Sequence, residues 1–251
     1  MVQDRAALLA NGKRPSALNH ANPTMAQQIQ INVAGRPLQA ELHPPVSGPA
    51  KGAIVIAYGS DGLTDHLNGP WATMIRDDAD ALAGLGFLVL IPDVLGFTGT
   101  NPGLEGLEMI HLKRSLWESA LTAASDAALQ QANVTSSHLA LLGYSLGGHL
   151  CLRLRHKASV LITFFAPVLD NPGPAGSLRA AQLHHGTADR TPGTGFENAG
   201  QIETLLKAEG TPVELHAYSG AGHGFTGPDP ANQQARQLSR SRLLAFAAAN
   251  H

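Results

Sequence analysis

Gly143-Tyr144-Ser145-Leu146-Gly147, with Gly148 next, is the segment of this chain best suited to chemistry. It follows the apolar run Leu139–Leu142 and precedes 148–154, which reads as a helix. Strand, turn and helix in that order are the setting that gives G-x-S-x-G its meaning. Turning the chain so sharply forces Ser145 into a strained backbone conformation, and side chains at 143 and 147 would collide with neighbouring backbone. The turn would lift Oγ above a sheet, at the start of a helix whose free N–H groups favour developing negative charge. Taken alone, the same residues also fit a plain glycine-rich turn with a serine N-cap.

The partners decide. A serine hydroxyl is a poor nucleophile at neutral pH and needs a histidine to take its proton and a carboxylate to orient the ring. Of the 12 histidines, His223 is best placed, in Ser219-Gly220-Ala221-Gly222-His223-Gly224-Phe225 between the last predicted strand and the last predicted helix. Its position satisfies the order serine, acid, histidine. His184 and His185 end a strand and read as structural, and His216 lies inside one. His149 sits in the helix after Ser145, pointing away from the mouth of the site or lining its back. His20, His138 and His251 have no assigned role. For the acid, Asp189 in His185-Gly186-Thr187-Ala188-Asp189 follows a late strand, on the rim where such sheets collect their chemistry. Asp170, after the preceding strand, is its rival, and Asp189 is preferred; either also fits an Asx-turn. Asp93 ends an earlier strand and is expected to shape the loop before Phe97.

A tetrahedral intermediate needs two hydrogen-bond donors. The backbone N–H of Leu146 is the natural first, and the second is expected from Gly59-Ser60-Asp61-Gly62, with Ser60 N–H preferred and Asp61 the alternative. Leu63, Leu67, Trp71, Met74, Leu95, Phe97 and Phe225 are available to line a pocket, although several belong to the core. Arg190, next to the proposed acid, either binds a substrate carboxylate or faces solvent. The segment 98–112 is expected near the site mouth. There is no HExxH, no Cys/His cluster and no phosphate-loop Gly-Lys-Ser/Thr sequence, so no metal, cofactor or nucleotide is expected. The glycines 143–148 lack the full G-x-G-x-x-G spacing of a dinucleotide fold, the runner-up architecture. Cys151 reads as a small buried hydrophobe.

These residues need a sheet to hold them. Apolar runs at Ala53–Tyr58, Phe87–Ile91, Leu139–Leu142 and Val160–Phe165 are continuous, not alternating, as in parallel strands covered on both faces. Weaker strands follow at Ala181–His185 and Val213–Tyr218. Ile29, Ile31 and Val33 alternate with polar residues, and Leu38–His43 is the expected partner through a turn at Gly35-Arg36-Pro37. Helices are predicted at 71–84, 106–131, 146–156, 197–209 and 232–249. The second of these places Leu107, Ile110, Trp117, Leu121, Ala124 and Ala128 on one stripe. The expected fold class is α/β: a mostly parallel sheet with helices on both faces, in one domain over 29–251 after an N-terminal extension, 1–28, that is loose or a short helix.

Length and composition agree. The chain has 251 residues, 43% of them hydrophobic, and a formal net charge of -2, which gives no reason to invoke nucleic acid or an anionic membrane. One cysteine excludes an internal disulfide. No apolar run is long enough for a membrane span or a signal-peptide core, and a cytoplasmic location is the default expectation. Met25 reads as an alternative start, so truncation there is expected to cost the fold little.

The chain resembles the α/β-hydrolase superfamily and, within it, the dienelactone hydrolase family, over roughly Ile29 to Ala249. The resemblance rests on Gly143–Gly148, Ile91-Pro92-Asp93, His185-Gly186-Thr187-Ala188-Asp189 and Gly222-His223-Gly224-Phe225, in that order. It implies a small hydrolase without a large cap, with Ser145, Asp189 and His223 at the triad positions. Members that cleave dienelactone carry cysteine as nucleophile; Ser145 here points to an ordinary carboxylic-ester hydrolase. A small-molecule ester is the expected substrate and the protein a monomer or homodimer. Acyl transfer, peptide or amide cleavage, and non-catalytic binding on the same fold are the alternatives.

Overall fold

The computed structural model describes residues 26–250. Expectations that fall on residues 1–25, including a start at Met25, and on His251 lie outside them. Among the described residues eight strands form one sheet: β1 (Gln27–Val33), β2 (Arg36–His43), β3 (Ala53–Ala57), β4 (Leu88–Pro92), β5 (Leu139–Tyr144), β6 (Val160–Phe164), β7 (Ala180–Gly186) and β8 (Val213–Tyr218). Their order is β1-β2-β4-β3-β5-β6-β7-β8. β1 and β2 pair antiparallel, β2 joins β4 antiparallel, and all other pairs are parallel. The β1–β2 turn falls one step earlier than predicted. Ala34 and Gly35 take positive φ, 50° and 84°, leaving Arg36 and Pro37 inside β2. A two-residue turn with both φ positive matches the twist of the strands it joins.

Among the described residues seven α-helices accompany the sheet: α1 (Trp71–Gly84), α2 (Val94–Thr98), α3 (Leu104–Glu108), α4 (Ile110–Ala132), α5 (Leu146–Arg153), α6 (Glu197–Ala208) and α7 (Pro230–Ala249). The β3–α1–β4 unit steps one way along the sheet, whereas the units containing α4, α5 and α6 step the other way. Right-handed crossovers therefore place α1 on the face opposite those three, and α7 packs beside α1. β3 to β6 are wholly buried, which is why their sequences read as unbroken apolar runs. Among the described residues no helix is long and apolar enough to cross a membrane.

Two helices depart from expectation. The stretch 106–131 is not one helix but α3 and α4, broken at Met109. Gly106 sits so close to the loop after β3 that a Cβ would lie 2.9 Å from the Ser60 carbonyl oxygen, so α3 follows that loop and not the axis of α4. Leu107 accordingly leaves the buried stripe and is 46% exposed, while Ile110, Trp117, Leu121, Ala124 and Ala128 are buried. The predicted helix 146–156 stops at Arg153, with a single 3-10 turn at Arg155–Lys157.

Candidate active site

The parallel strands end on one rim, and the chemistry gathers there. Ser145, between β5 and α5, has φ 52° and ψ -119°, a strained conformation for a residue with a side chain. The strain is tolerated because its neighbours are glycine. A Cβ at Gly143 would lie 2.5 Å from the Gly147 carbonyl oxygen, and one at Gly147 would overlap the Ala57 carbonyl. Ser145 N–H donates to the Phe164 carbonyl at 2.9 Å. From behind, Tyr144 Oη–H donates to Asp78 Oδ2 at 2.7 Å, and buried Asp78 also pairs with Arg236 at 3.1 Å and Arg240 at 3.3 Å. This ties the elbow to α1 and α7, an anchor with no signal in the sequence beyond the residue types.

His223 lies in a short 3-10 turn, His223–Phe225, after β8, its ring edge-on to Phe165 with centroids 4.8 Å apart. Nδ1–H donates to Asp189 Oδ2 at 2.7 Å, and Ser145 Oγ–H donates to Nε2 at 3.1 Å. The ionised carboxylate has no proton to give, so it fixes this tautomer. The loops carrying acid and histidine are laced together. Ala188 N–H donates to the Ala221 carbonyl at 2.9 Å, and Thr187 N–H to that of Tyr218 at 2.9 Å. Gly186 is what lets them approach, because a Cβ there would overlap the Ala221 carbonyl.

Asp189 has its side chain fully shielded from solvent. Oδ1 accepts from Thr191 N–H at 3.0 Å and lies 3.0 Å from the Thr194 hydroxyl. His185 Nε2–H donates to the Thr194 carbonyl at 2.7 Å, with Asp189 Oδ2 a longer second acceptor at 3.3 Å. Burial alone would raise the carboxyl, but the His185 and His223 contacts outweigh it and hold the group well below the usual carboxylate range. His185, read from sequence as structural, thus touches the acid itself. Asp170 does not reach His223; it pairs with Arg114 and lies 3.5 Å from Arg153 and 3.3 Å from His149. His149, on α5, is wholly buried and is not among the residues that line the pocket over Ser145. His184 lies between Gln182 and Tyr218, and His216 beside Glu214.

Leu146 opens α5, so its N–H has no carbonyl one turn back to bond. Gly59 lies beside Ser145, where a Cβ would come 3.8 Å from Oγ, and Ser60 lines the same pocket as Ser145. The Ser60 carbonyl accepts from Gly103 N–H at 2.8 Å, and Gly62 N–H bonds Gly59, which holds the loop rigid. Asp61, the alternative donor, turns its carboxylate to Asn68 Nδ2 at 3.0 Å and Trp71 Nε1 at 3.1 Å. Asp93 caps α2 through Gly96 N–H and accepts from Tyr58 Oη–H at 2.6 Å, shaping the loop before Phe97 as expected.

A pocket of about 640 Å³ opens over Ser145 and His223, a volume suited to a small organic molecule. Of the seven apolar residues proposed to line it, only Trp71 does. Leu63 and Leu95 face a separate cavity of about 350 Å³, while Met74, Phe97 and Phe225 are core. Leu107 takes their place, brought to the mouth by α3. Among the described residues no group of His, Cys, Asp or Glu could hold a metal ion. Cys151 is buried, and burial pushes its thiol far up.

The model of the dienelactone hydrolase family matches residues 40–249. A human protein named acyl-coenzyme A thioesterase 6 is 34% identical over 154 residues, 61% of this chain; the chain spans about a third of that relative's length, 31%. A dienelactone hydrolase-like promiscuous phosphotriesterase from metagenomic libraries has the same fold, with TM-score 0.69 at 19% identity, covering 90% of this chain and 98% of the other. An esterase of Thermogutta terrifontis, solved with butyrate bound, gives TM-score 0.63 at 20% identity over 88% and 94% of the two chains.

Proposed function

The chain belongs to the dienelactone hydrolase family, and from that premise we propose that Ser145 is the nucleophile, His223 the base and Asp189 the orienting acid of a serine esterase acting on small carboxylic esters. The carrying observation is the unbroken chain Ser145 Oγ–His223 Nε2, 3.1 Å, and His223 Nδ1–Asp189 Oδ2, 2.7 Å, under an open pocket.

As Oγ attacks the ester carbonyl, its proton passes to His223 Nε2, and the carboxylate of Asp189 stabilises the imidazolium. The carbonyl oxygen becomes an oxyanion, held by Leu146 N–H and Ser60 N–H. Collapse of the intermediate expels the alcohol, which takes the proton back from Nε2 and leaves Ser145 acylated. Water then gives a proton to the same nitrogen as it attacks the acyl-enzyme, and release of the acid returns Oγ–H. Every proton that leaves Oγ or water passes through one imidazole nitrogen, so the reaction needs no further proton carrier.

Thioester cleavage is a second reading, favoured by the likeness to acyl-coenzyme A thioesterase 6. It uses the same steps with a thiolate leaving. Ser145→Ala is expected to remain folded and to lose about 10⁴-fold or more in kcat/KM on a short-chain 4-nitrophenyl ester. Turnover equal to that of the unaltered protein would overturn the assignment.

A further inference from the structure

Arg190 lines the pocket from the loop after β7 and is exposed there. Among the described residues it is the one arginine with no hydrogen bond, ion pair or ring contact. The others are engaged: Arg76 with Glu41, Arg114 with Asp170, Arg153 with Glu118, Arg155 with Glu209, and Arg236 and Arg240 with Asp78. Arg36 bonds the Phe97 carbonyl, Arg179 that of Asn250, and Arg242 lies over Tyr218. A guanidinium left unpaired in a pocket wall can take a carboxylate or phosphate through two parallel hydrogen bonds. The pocket also carries the other sign, on the far side of Ser145 in the strand order: Arg190 follows β7 and Asp61 follows β3, with β5 between them. Asp61 lines the same pocket, and both its hydrogen bonds come from neutral donors, so its charge is not cancelled.

The catalytic geometry fixes which part of a substrate meets which wall. With the carbonyl oxygen turned to Ser60 and Leu146, the leaving oxygen or sulfur must come within reach of His223 Nε2, because that nitrogen returns its proton. Ala188 and Arg190 follow β7 and His223 follows β8, on the far side of Ser145 from the loop after β3 that holds Asp61, so the leaving group departs towards Arg190. We infer that Arg190 forms an anion subsite for the leaving group, so that the enzyme selects esters and thioesters whose alcohol or thiol portion carries a carboxylate or phosphate. This inference rests on the roles proposed for Ser145 and His223.

The test compares matched pairs in the unaltered protein, Arg190→Gln and Arg190→Glu. The first pair is 4-acetoxybenzoate against its methyl ester, which places a carboxylate on the leaving group or removes it. The second is butyryl-coenzyme A against S-butyryl-N-acetylcysteamine, which removes the phosphates together with the nucleoside and the pantoyl arm that carry them. The third is 4-nitrophenyl hydrogen glutarate against 4-nitrophenyl butyrate, with the anion on the acyl side. The anionic-over-neutral ratio of kcat/KM is expected to fall about 5-fold in Arg190→Gln for at least one of the first two pairs, and further in Arg190→Glu. The pair that responds identifies carboxylate or phosphate as the natural anion. Ratios unchanged in both leaving-group pairs overturn the inference, and so does a fall confined to the acyl-side pair. Hydrolysis of any of these esters by the unaltered protein, lost in Ser145→Ala, reports the esterase reading separately. If neither neutral nor anionic substrates are turned over, both readings fail; if they are turned over while the ratios stay fixed, only the anion subsite fails.

Discussion

Two histidine–aspartate pairs flank the same elbow, and they differ in everything except residue type. His223 and Asp189 meet at 2.7 Å on the rim, with the far ring nitrogen open to Ser145 and the pocket. His149 lies four residues after Ser145 on α5, wholly buried, its Nε2 3.3 Å from Asp170 Oδ1, and neither ring nitrogen makes a well-formed hydrogen bond. Among the described residues the Asp189 carboxylate makes ion-pair contacts only with His185 and His223, whereas Arg114 and Arg153 already engage Asp170. Burial first, and then the charges of Arg153 and Arg114, push His149 down to about 4, so it stays neutral where a base must accept a proton. A base needs a route to the nucleophile and a carboxylate free to stabilise its charge; nearness in sequence provides neither.

Substitutions should separate the two pairs by orders of magnitude. His223→Gln is expected to lower kcat/KM on a 4-nitrophenyl ester by about 10⁵-fold, against no more than about 3-fold for His149→Leu, which removes no group in reach of the reacting atoms. Equal losses would erase the distinction. Asp189→Asn should cost about 10³- to 10⁴-fold in kcat, through loss of the oriented imidazole. Asp170→Asn should leave turnover nearly intact and instead lower stability by about 1 kcal/mol in urea denaturation, because Arg114 and Arg153 are then left to share Glu118.

The smallest effect is one of pH. The unfolded chain binds a proton on histidine near the model-peptide value of about 6.5, whereas folded His149 does so only at about 4. Between those values the unfolded state binds more protons, so stability rises with pH and is lost as pH falls through the window. Buried His184 and the partly buried His216 are shifted in the same direction, chiefly by desolvation, and add to the loss. His149→Leu should therefore shrink, without abolishing, the drop in urea midpoint between pH 7 and pH 4.5. An identical drop in the variant would show that His149 takes up its proton in the folded state as readily as in the unfolded.

Much of the architecture was legible because it is written in local steric and apolar patterns. Unbroken apolar runs marked the central strands, and the glycines around Ser145 marked a turn that no bulkier residue could make. The acid was harder to read. Asp170 and Asp189 both follow strands, and what separates them is Arg114, a residue of α4 that reaches Asp170 from elsewhere in the chain. Leu107 fitted a helical stripe by spacing, yet the contact of Gly106 with the Ser60 loop breaks that helix and turns Leu107 to the pocket. The part played by His185 depended on the fold of the 189–194 loop, which brings the Thr194 carbonyl and the carboxylate to one ring nitrogen. These are long-range contacts between loops, and periodicity carries no record of them.

The most direct test is covalent labelling with a fluorophosphonate, followed by peptide mapping, in the unaltered protein, His223→Gln and His149→Leu. One adduct is expected, on Ser145, forming as fast in His149→Leu as in the unaltered protein and orders of magnitude more slowly in His223→Gln. An adduct on another residue, or undiminished labelling without the imidazole of His223, would contradict it.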